Sequence, residues 1–247
     1  MSSAWYESFF GSLALDFWRA AVPPELTAQE VRFLEWALGL EPPARLLDFP
    51  CGLGRHALAL AERGYEMTGL DLSPEAIAAA QAEATVRGLM VHLACGDMRA
   101  PVSGGPYDGA CCLGNSLGYL EHAETERFIR NVHAVVRPGG RWVLDTGLAA
   151  ESLLPHLAPE RTVEAGGVTY AVESAFDPLR GRLEQATVLS RGTERQASQV
   201  SYAVYTVAEL RRLLEGAGWT VLHALGGLDR KPFALGDRRL LLVAVRS

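Results

Sequence analysis

Apolar positions along this chain alternate between helical and extended spacing, and the changes of period mark its elements. In "TAQEVRFLEWALGL" (27–40) apolar residues recur at helical spacing behind Thr27 and Glu30, whose T-x-x-E arrangement predicts a capping box. Residues 45 to 50 read as a short buried strand and 55 to 63 as a helix, followed by a second strand in "YEMTGLDL". In "SPEAIAAAQAEATVRG" Ser73 is placed as an N-cap, Pro74 at the first helical position and Gly88 at the end. "MVHLAC" and "YDGACCLG" give a third and fourth strand. "AETERFIRNVHAVVRPGG" is a helix stopped by Pro138 and two glycines, and "RWVLDTG" a fifth strand. Strands alternating with helices predict a parallel sheet covered on both faces, with ligands at the carboxyl ends of its strands.

After about residue 150 the period shortens. "RTVEAGGVTYAVES", "GRLEQATVLS" and "RQASQVSYAVY" alternate in twos between polar turns and read as antiparallel strands. Helical order returns in "TVAELRRLLEGAG", where Thr206 and Glu209 form a second capping box, and "WTVLHAL" and "RRLLLVAVRS" close as strands. The antiparallel block is therefore an insertion into a doubly wound α/β sheet. The expected division is an N-terminal helical lid segment at 1–40, a cofactor-binding core at 41–150, the inserted β region at 151–205 and completion of the core sheet at 206–247.

Composition narrows the function without naming it. With 49% hydrophobic and 21% charged residues the chain is of ordinary globular type, and its net charge of -6 disfavours a nucleic-acid partner. No apolar run reaches the roughly 18 to 20 residues a bilayer span needs. The start, "MSSAWYESFFGSLALDFW", has no basic leader, which predicts a cytoplasmic protein. Cys51, Cys95, Cys111 and Cys112 have neither disulfide-framework nor zinc spacing and are read as small buried hydrophobes in a reducing compartment; no metal site is expected. Lys231 is the sole lysine and Asn115 and Asn131 the only asparagines, a bias that suits a GC-rich genome or a hot habitat.

The stretch "LLDFPCGLGRHALALAERG" (46–64) carries the chemistry. Gly52 and Gly54 allow a tight turn that approaches a ligand with no Cβ in the way. Residues 52 to 57, G-L-G-R-H-A, satisfy a dinucleotide fingerprint, and Asp71 at the end of the second strand is placed for ribose hydroxyls. Asp48, inside the first strand before the turn, sits close to where a pyrophosphate's charge would fall and suits a cationic ligand better. Asp97 ends the third strand, where an adenine amino group can be read, and Asn115 ends the fourth. Polar groups at four successive strand ends point to one rim.

The blocks "DFPCGLGRH" (48–56), "GLDLS" (69–73), "GDMR" (96–99) and "NSLGYL" (115–120), with "RPGGRWVLD" and the late "GW", resemble the class I S-adenosylmethionine-dependent methyltransferases, in particular a bacterial small-molecule group. The resemblance implies a Rossmann-like sheet of seven strands, the last antiparallel, and S-adenosylmethionine as cofactor. It places Asp48, Gly52 and Gly54 around the methionyl part, with Pro50, Cys51 and Arg55 in the same loop. Asp71 and Leu72 fall to the ribose, Asp97 and Met98 to the adenine, and Leu113, Gly114 and Asn115 to a wall that opens toward substrate. Pro50 departs from the glycine of broader methyltransferase motifs.

In related enzymes an N-terminal segment closes over the cofactor, and Tyr6 is the candidate contact there. Tyr119 and His122 follow the fourth strand near the expected substrate mouth and are the candidates for a general base. The expected reaction is direct displacement of a methyl group onto an N or O atom of a small metabolite. The rivals are a non-catalytic or regulatory S-adenosylmethionine-binding protein and a nicotinamide-dependent oxidoreductase. The inserted strands serve as a lid or as a homodimer contact; the sequence leaves both open.

Overall fold

A computed structural model describes residues 4–247; the first three residues of the expected N-terminal segment lie outside the described residues. The core sheet contains β1 (Arg45–Asp48), β2 (Glu66–Asp71), β3 (His92–Cys95), β4 (Tyr107–Cys112), β5 (Val136–Thr146), β10 (Trp219–Leu225) and β11 (Leu240–Arg246). The second sheet contains β6 (Glu160–Ala165), β7 (Val168–Asp177), β8 (Arg182–Arg191) and β9 (Glu194–Ala203). The core order is β10-β11-β5-β4-β1-β2-β3, with β11 antiparallel to both neighbours and the other pairings parallel. Chain order reverses between β1 and β4, so the crevice for a ligand opens at their carboxyl ends.

Helices α1 (Tyr6–Phe9), α2 (Ser12–Ala21) and α3 (Pro24–Leu38) precede the sheet. Between its strands run α4 (Arg55–Ala61), α5 (Pro74–Val86), α6 (His122–Val135), α7 (Ala150–Leu153) and α8 (Val207–Gly216). The start of α5 follows its sequence signal: Ser73 Oγ accepts the Ala76 amide at 3.1 Å, with Pro74 next. The box at α8 also forms, Thr206 Oγ1 accepting the Glu209 amide at 3.2 Å and the Glu209 carboxylate accepting the Thr206 amide at 2.7 Å. Thr27 and Glu30 do not cap. Pro24 at the first helical position starts α3 earlier, which leaves Glu30 inside the helix and free to turn toward the core.

Two other readings are corrected. Pro138 and the glycines after it do not lie in a break between helix and strand, because β5 already begins at Val136 and runs through them, with a register shift against β4. Cys51, Cys111 and Cys112 are buried as expected, but Cys95 on the edge strand β3 is exposed. The inserted block holds four strands because Gly166 and Gly167, both at positive φ, turn "RTVEAGGVTYAVES" into a hairpin.

Each element buries an apolar face. On one side of the core sheet, Trp142, Leu144 and Trp219 pack with Phe128, Ile129 and Val132 of α6 and Leu210 and Leu214 of α8. On the other, Leu46, Val143 and Leu241 meet Val31, Leu34 and Leu38 of α3. The second sheet buries Val168, Tyr170, Val172, Leu189 and Val200 against Phe9, Leu13 and Phe17 of α1 and α2. N-terminal helices and inserted strands therefore form one cover over the rim of the core. Trp142 is fully buried between Phe128 and Trp219, ring centroids 5.7 and 5.3 Å away. Trp142→Ala is expected to cost about 3–5 kcal/mol in equilibrium denaturation, and a loss near 1 kcal/mol would show that this core collapses around the cavity.

Candidate active site

A cavity of about 520 Å³ opens at the carboxyl ends of the core strands, beneath the cover. Its inner wall begins at the glycine turn. The Cys51 amide donates to the Leu70 carbonyl at 2.8 Å, and the chain turns through Gly52 and Gly54 at φ 54° and 74°. A Cβ on Gly54 would come within 3.0 Å of Ala80, whereas one on Gly52 would meet nothing within 4 Å. Gly54 thus lets α4 pack on α5, and Gly52 keeps the backbone open to the cavity.

Asp71 spans the turn. Its Oδ2 accepts the Gly52 amide at 2.7 Å and its Oδ1 the Ser73 amide at 3.0 Å. Burial raises its carboxyl above the usual range against these bonds. Asp97 also faces the cavity, beside the buried Met98. Arg99 forks onto Asp97, Nε lying 2.9 and 3.0 Å from its two oxygens and Nη2 2.7 Å from Oδ2. Burial would raise Asp97, but the Arg99 hydrogen bonds outweigh it and hold the acid below its ordinary value. Arg99 Nη2 reaches on to Glu7 at 2.8 Å, and its guanidinium lies 5.6 Å from the Tyr6 ring centroid. The N-terminal helix is thereby latched to the loop that carries Asp97.

Asp48 lies behind the wall. It is 1% exposed at the end of β1, accepts Cys111 Sγ at 3.4 Å on Oδ1, and has no hydrogen-bond partner on Oδ2 among the described residues. Burial raises its carboxyl, opposed by the nearby His56 and Arg55. Pro50, Cys51, Gly52, Arg55, Leu72, Leu113, Gly114, Asn115, Tyr6 and Tyr119 all line the cavity, and Gly54 supports the turn from behind. Asn115, at φ 73°, accepts the Gly147 amide at 2.6 Å. His122 is the exception among the candidates: as the first residue of α6 it lies in a separate surface groove with Glu126 and Arg212, its ring 3.4 Å from Glu126.

A charge cluster that no local sequence pattern announces lies under this wall. Glu30 is 2% exposed and accepts Arg55 Nη1, His56 Nε2 at 2.9 Å and Arg239 Nη2 at 2.6 Å. Arg239 also grips Asp145 with Nε at 2.7 Å and Nη2 at 2.9 Å, and Asp145 accepts the Gly114 amide at 3.2 Å. One ion network thus joins α3, the glycine turn, β5, the loop after β4 and the entry to β11. Burial pushes Glu30 up, but hydrogen bonds from His56 and Arg55 overcome it and hold the acid far below the usual carboxylate range.

The cavity's inner half fits an S-adenosyl group on its donor set. Ionised carboxylates only accept hydrogen bonds, and a vicinal diol and an exocyclic amine supply donors for Asp71 and Asp97. The bare backbone at Gly52 admits a bulky chain, and Asp48 lies behind it with Oδ2 lacking a partner among the described residues.

Comparison with known proteins agrees. A family model described as a methyltransferase domain matches residues 46–140. A dTDP-3-amino-3,6-dideoxy-alpha-D-glucopyranose N,N-dimethyltransferase of Streptomyces fradiae is 30% identical over 190 residues, 74% of this chain and 73% of the relative. The chain is an S-adenosylmethionine-dependent methyltransferase. Among solved structures, a methyltransferase of this kind from Clostridium acetobutylicum ATCC 824 aligns with a TM-score of 0.80 at 17% identity, covering 93% of this chain and 94% of the other. The sugar N-methyltransferase KedS8 from Streptoalloteichus sp ATCC 53650 aligns at 0.63 with 26% identity over 98% and 90% of the two chains. The methyltransferase fold extends over the cover as well as the core.

Because Glu30 is held below its unfolded value, its contribution to stability is complete above the ordinary glutamate range and is lost as pH falls through and below about 4.3. The stability gap between the wild-type methyltransferase and a Glu30→Gln variant is expected to be largest near pH 7 and to shrink toward pH 3. A gap unchanged across that window in urea denaturation would contradict the charged network.

Proposed function

We propose that this methyltransferase moves the methyl group to an amino nitrogen of a small hydroxylated metabolite, an amino sugar or a molecule of similar size. The observation that carries this reading is the acceptor half of the cavity, which holds no carboxylate among the described residues and is walled by Tyr6, Phe10, Trp18, Tyr119, Tyr170 and Tyr202. Burial pushes the Tyr6 phenol up to about 12 and those of Tyr119 and Tyr202 well above their ordinary value. These hydroxyls stay protonated at neutral pH, so they orient an acceptor and do not deprotonate it. An alcohol needs a base before it attacks, whereas a neutral amine brings its own lone pair. The Streptomyces fradiae relative, an N,N-dimethyltransferase of an amino sugar, and KedS8, a sugar N-methyltransferase, support the same choice.

When bound, S-adenosylmethionine supplies an electrophilic methyl on a good leaving group. The chain's own work is then alignment and exclusion of water. Asp71, Asp97 and the glycine turn hold one partner at the strand ends. The aromatic wall and the second sheet hold the other. The Glu7–Arg99–Asp97 latch keeps the cover in place across both. His156, on the acceptor side, has Nε2 2.7 Å from the Gly236 carbonyl oxygen; donation there leaves Nδ1 as an acceptor for the proton an ammonium product sheds. With four free thiols the methyltransferase suits a reducing cytoplasm.

The test is a mass-spectrometric assay over paired amino sugars and their hydroxyl counterparts. Product is expected from the amines, with kcat/KM rising with pH as the acceptor loses its proton. Turnover confined to hydroxyl acceptors would overturn the reading. His122→Ala is expected to stay within about twofold of wild type, where loss of a general base costs about 10²–10⁴-fold.

A further inference from the structure

The register of the second sheet puts Arg161, Ser174 and Gln185 on the face that carries its buried apolar residues. Arg161 of β6 pairs with Val172 of β7, which pairs with Thr187 of β8, while Val163 pairs with Tyr170 and Ala165 with Val168. Paired residues share a face, so Arg161 stands on the inner face with Val168, Tyr170 and Val172, the side that meets α1 and α2. Along β7 the same alternation brings Ser174 inward, and its register partner is Gln185 of β8. Strand alternation predicts apolar residues at all three positions. Arg161, Ser174 and Gln185 line the cavity instead.

Charge accounting within the cavity singles out Arg161. The basic side chains on its wall are Arg55, His56, His156 and Arg161, and the acidic ones are Asp71 and Asp97 at the cofactor end. Arg55 and His56 are bound to Glu30, and His156 has its carbonyl partner. Arg161 has no ion pair and no side-chain hydrogen bond among the described residues, although its charge faces the Tyr170 and Tyr202 phenols. Gln185 Nε2 donates to Ser174 Oγ at 2.8 Å, which leaves the serine hydroxyl hydrogen and the amide oxygen to meet a ligand. The acceptor end of the cavity is thus net positive, with neutral donors and acceptors next to the cation.

We propose that Arg161, with Ser174 and Gln185, forms a subsite for an oxyanion group of the acceptor, a phosphoester or a carboxylate, set apart from the atom that is methylated. A guanidinium engages either group through paired N–H donors, and the serine–amide pair beside it suits the hydroxyls of a sugar. This inference rests on the acceptor occupying the cavity described above. It makes Arg161 a determinant of substrate choice with no part in the chemical step.

The test is calorimetry on the protein loaded with S-adenosylhomocysteine, using thymidine 5′-diphosphate, glucose 1-phosphate, gluconate and glucose as probes. At least one anionic probe is expected to bind while glucose does not. Preference for the phosphate probes assigns the subsite to a phosphoester, and preference for gluconate assigns it to a carboxylate. Arg161→Gln is expected to weaken the preferred probe about tenfold or more, with Arg161→Lys recovering part of the loss, and to leave S-adenosylhomocysteine affinity and Tm unchanged. Equal anion binding by wild type and Arg161→Gln, or no anion binding by the loaded wild type, would overturn the subsite alone. Failure of the wild type to bind S-adenosylhomocysteine would instead overturn the reading of the cavity, and the subsite with it.

Discussion

A single buried carboxylate ties together the parts that make the cavity wall. Glu30 reaches inward from α3 to Arg55 and His56 behind the glycine turn and to Arg239 before the last strand, and Arg239 carries the link on to Asp145. An isolated charge at that depth would be costly; here the acid and its cations satisfy one another across segments distant in sequence. Removing Arg239 or Glu30 leaves unpaired charge under the cofactor loop, so the network constrains the position of the turn as much as the glycines do. Asp145 passes the constraint to the Gly114 amide and hence to the part of the cavity wall formed by Leu113, Gly114 and Asn115.

Above that base, the two halves differ in chemistry. The proposed cofactor half presents acids at successive strand ends and bare backbone at Gly52 and Gly114. The proposed acceptor half presents aromatic faces, protonated phenols and the Arg161 guanidinium, which has no ion pair among the described residues. Methyl transfer from a sulfonium asks for alignment in a dry site more than for an acid–base pair, and this division supplies that. The N-terminal helices and second sheet above the cavity are held by a hydrophobic cluster and by the Glu7–Arg99–Asp97 chain, so they are anchored to the loop that carries Asp97.

Much of this was legible in the sequence, and the reasons are local. Ser73–Pro74 and Thr206–Glu209 declare their helices through capping chemistry, and the glycines of the first turn declare themselves through the conformations they permit. Asp71 and Asp97 could be read because strand ends in a parallel sheet share one rim. Glu30 was misread because T-x-x-E is a local pattern, whereas its true partners arrive from α4 and from β11's approach. Arg239 lies in a run that reads as the start of a strand. His122 sits close to the substrate-mouth residues in sequence, yet the one-turn helix at 116–119 and the start of α6 carry it out to the surface. Arg161 gives no signal until pairing with Val172 reveals its face.

The central claim is that one cavity brings cofactor and acceptor together across the wall formed by Leu113, Gly114 and Asn115. A crystal structure with S-adenosylhomocysteine tests it most directly. The account predicts adenosine between Asp71 and Asp97, with the sulfur directed toward Tyr119 and the aromatic wall. A ligand bound elsewhere, or one whose sulfur faces away from that wall, would contradict it.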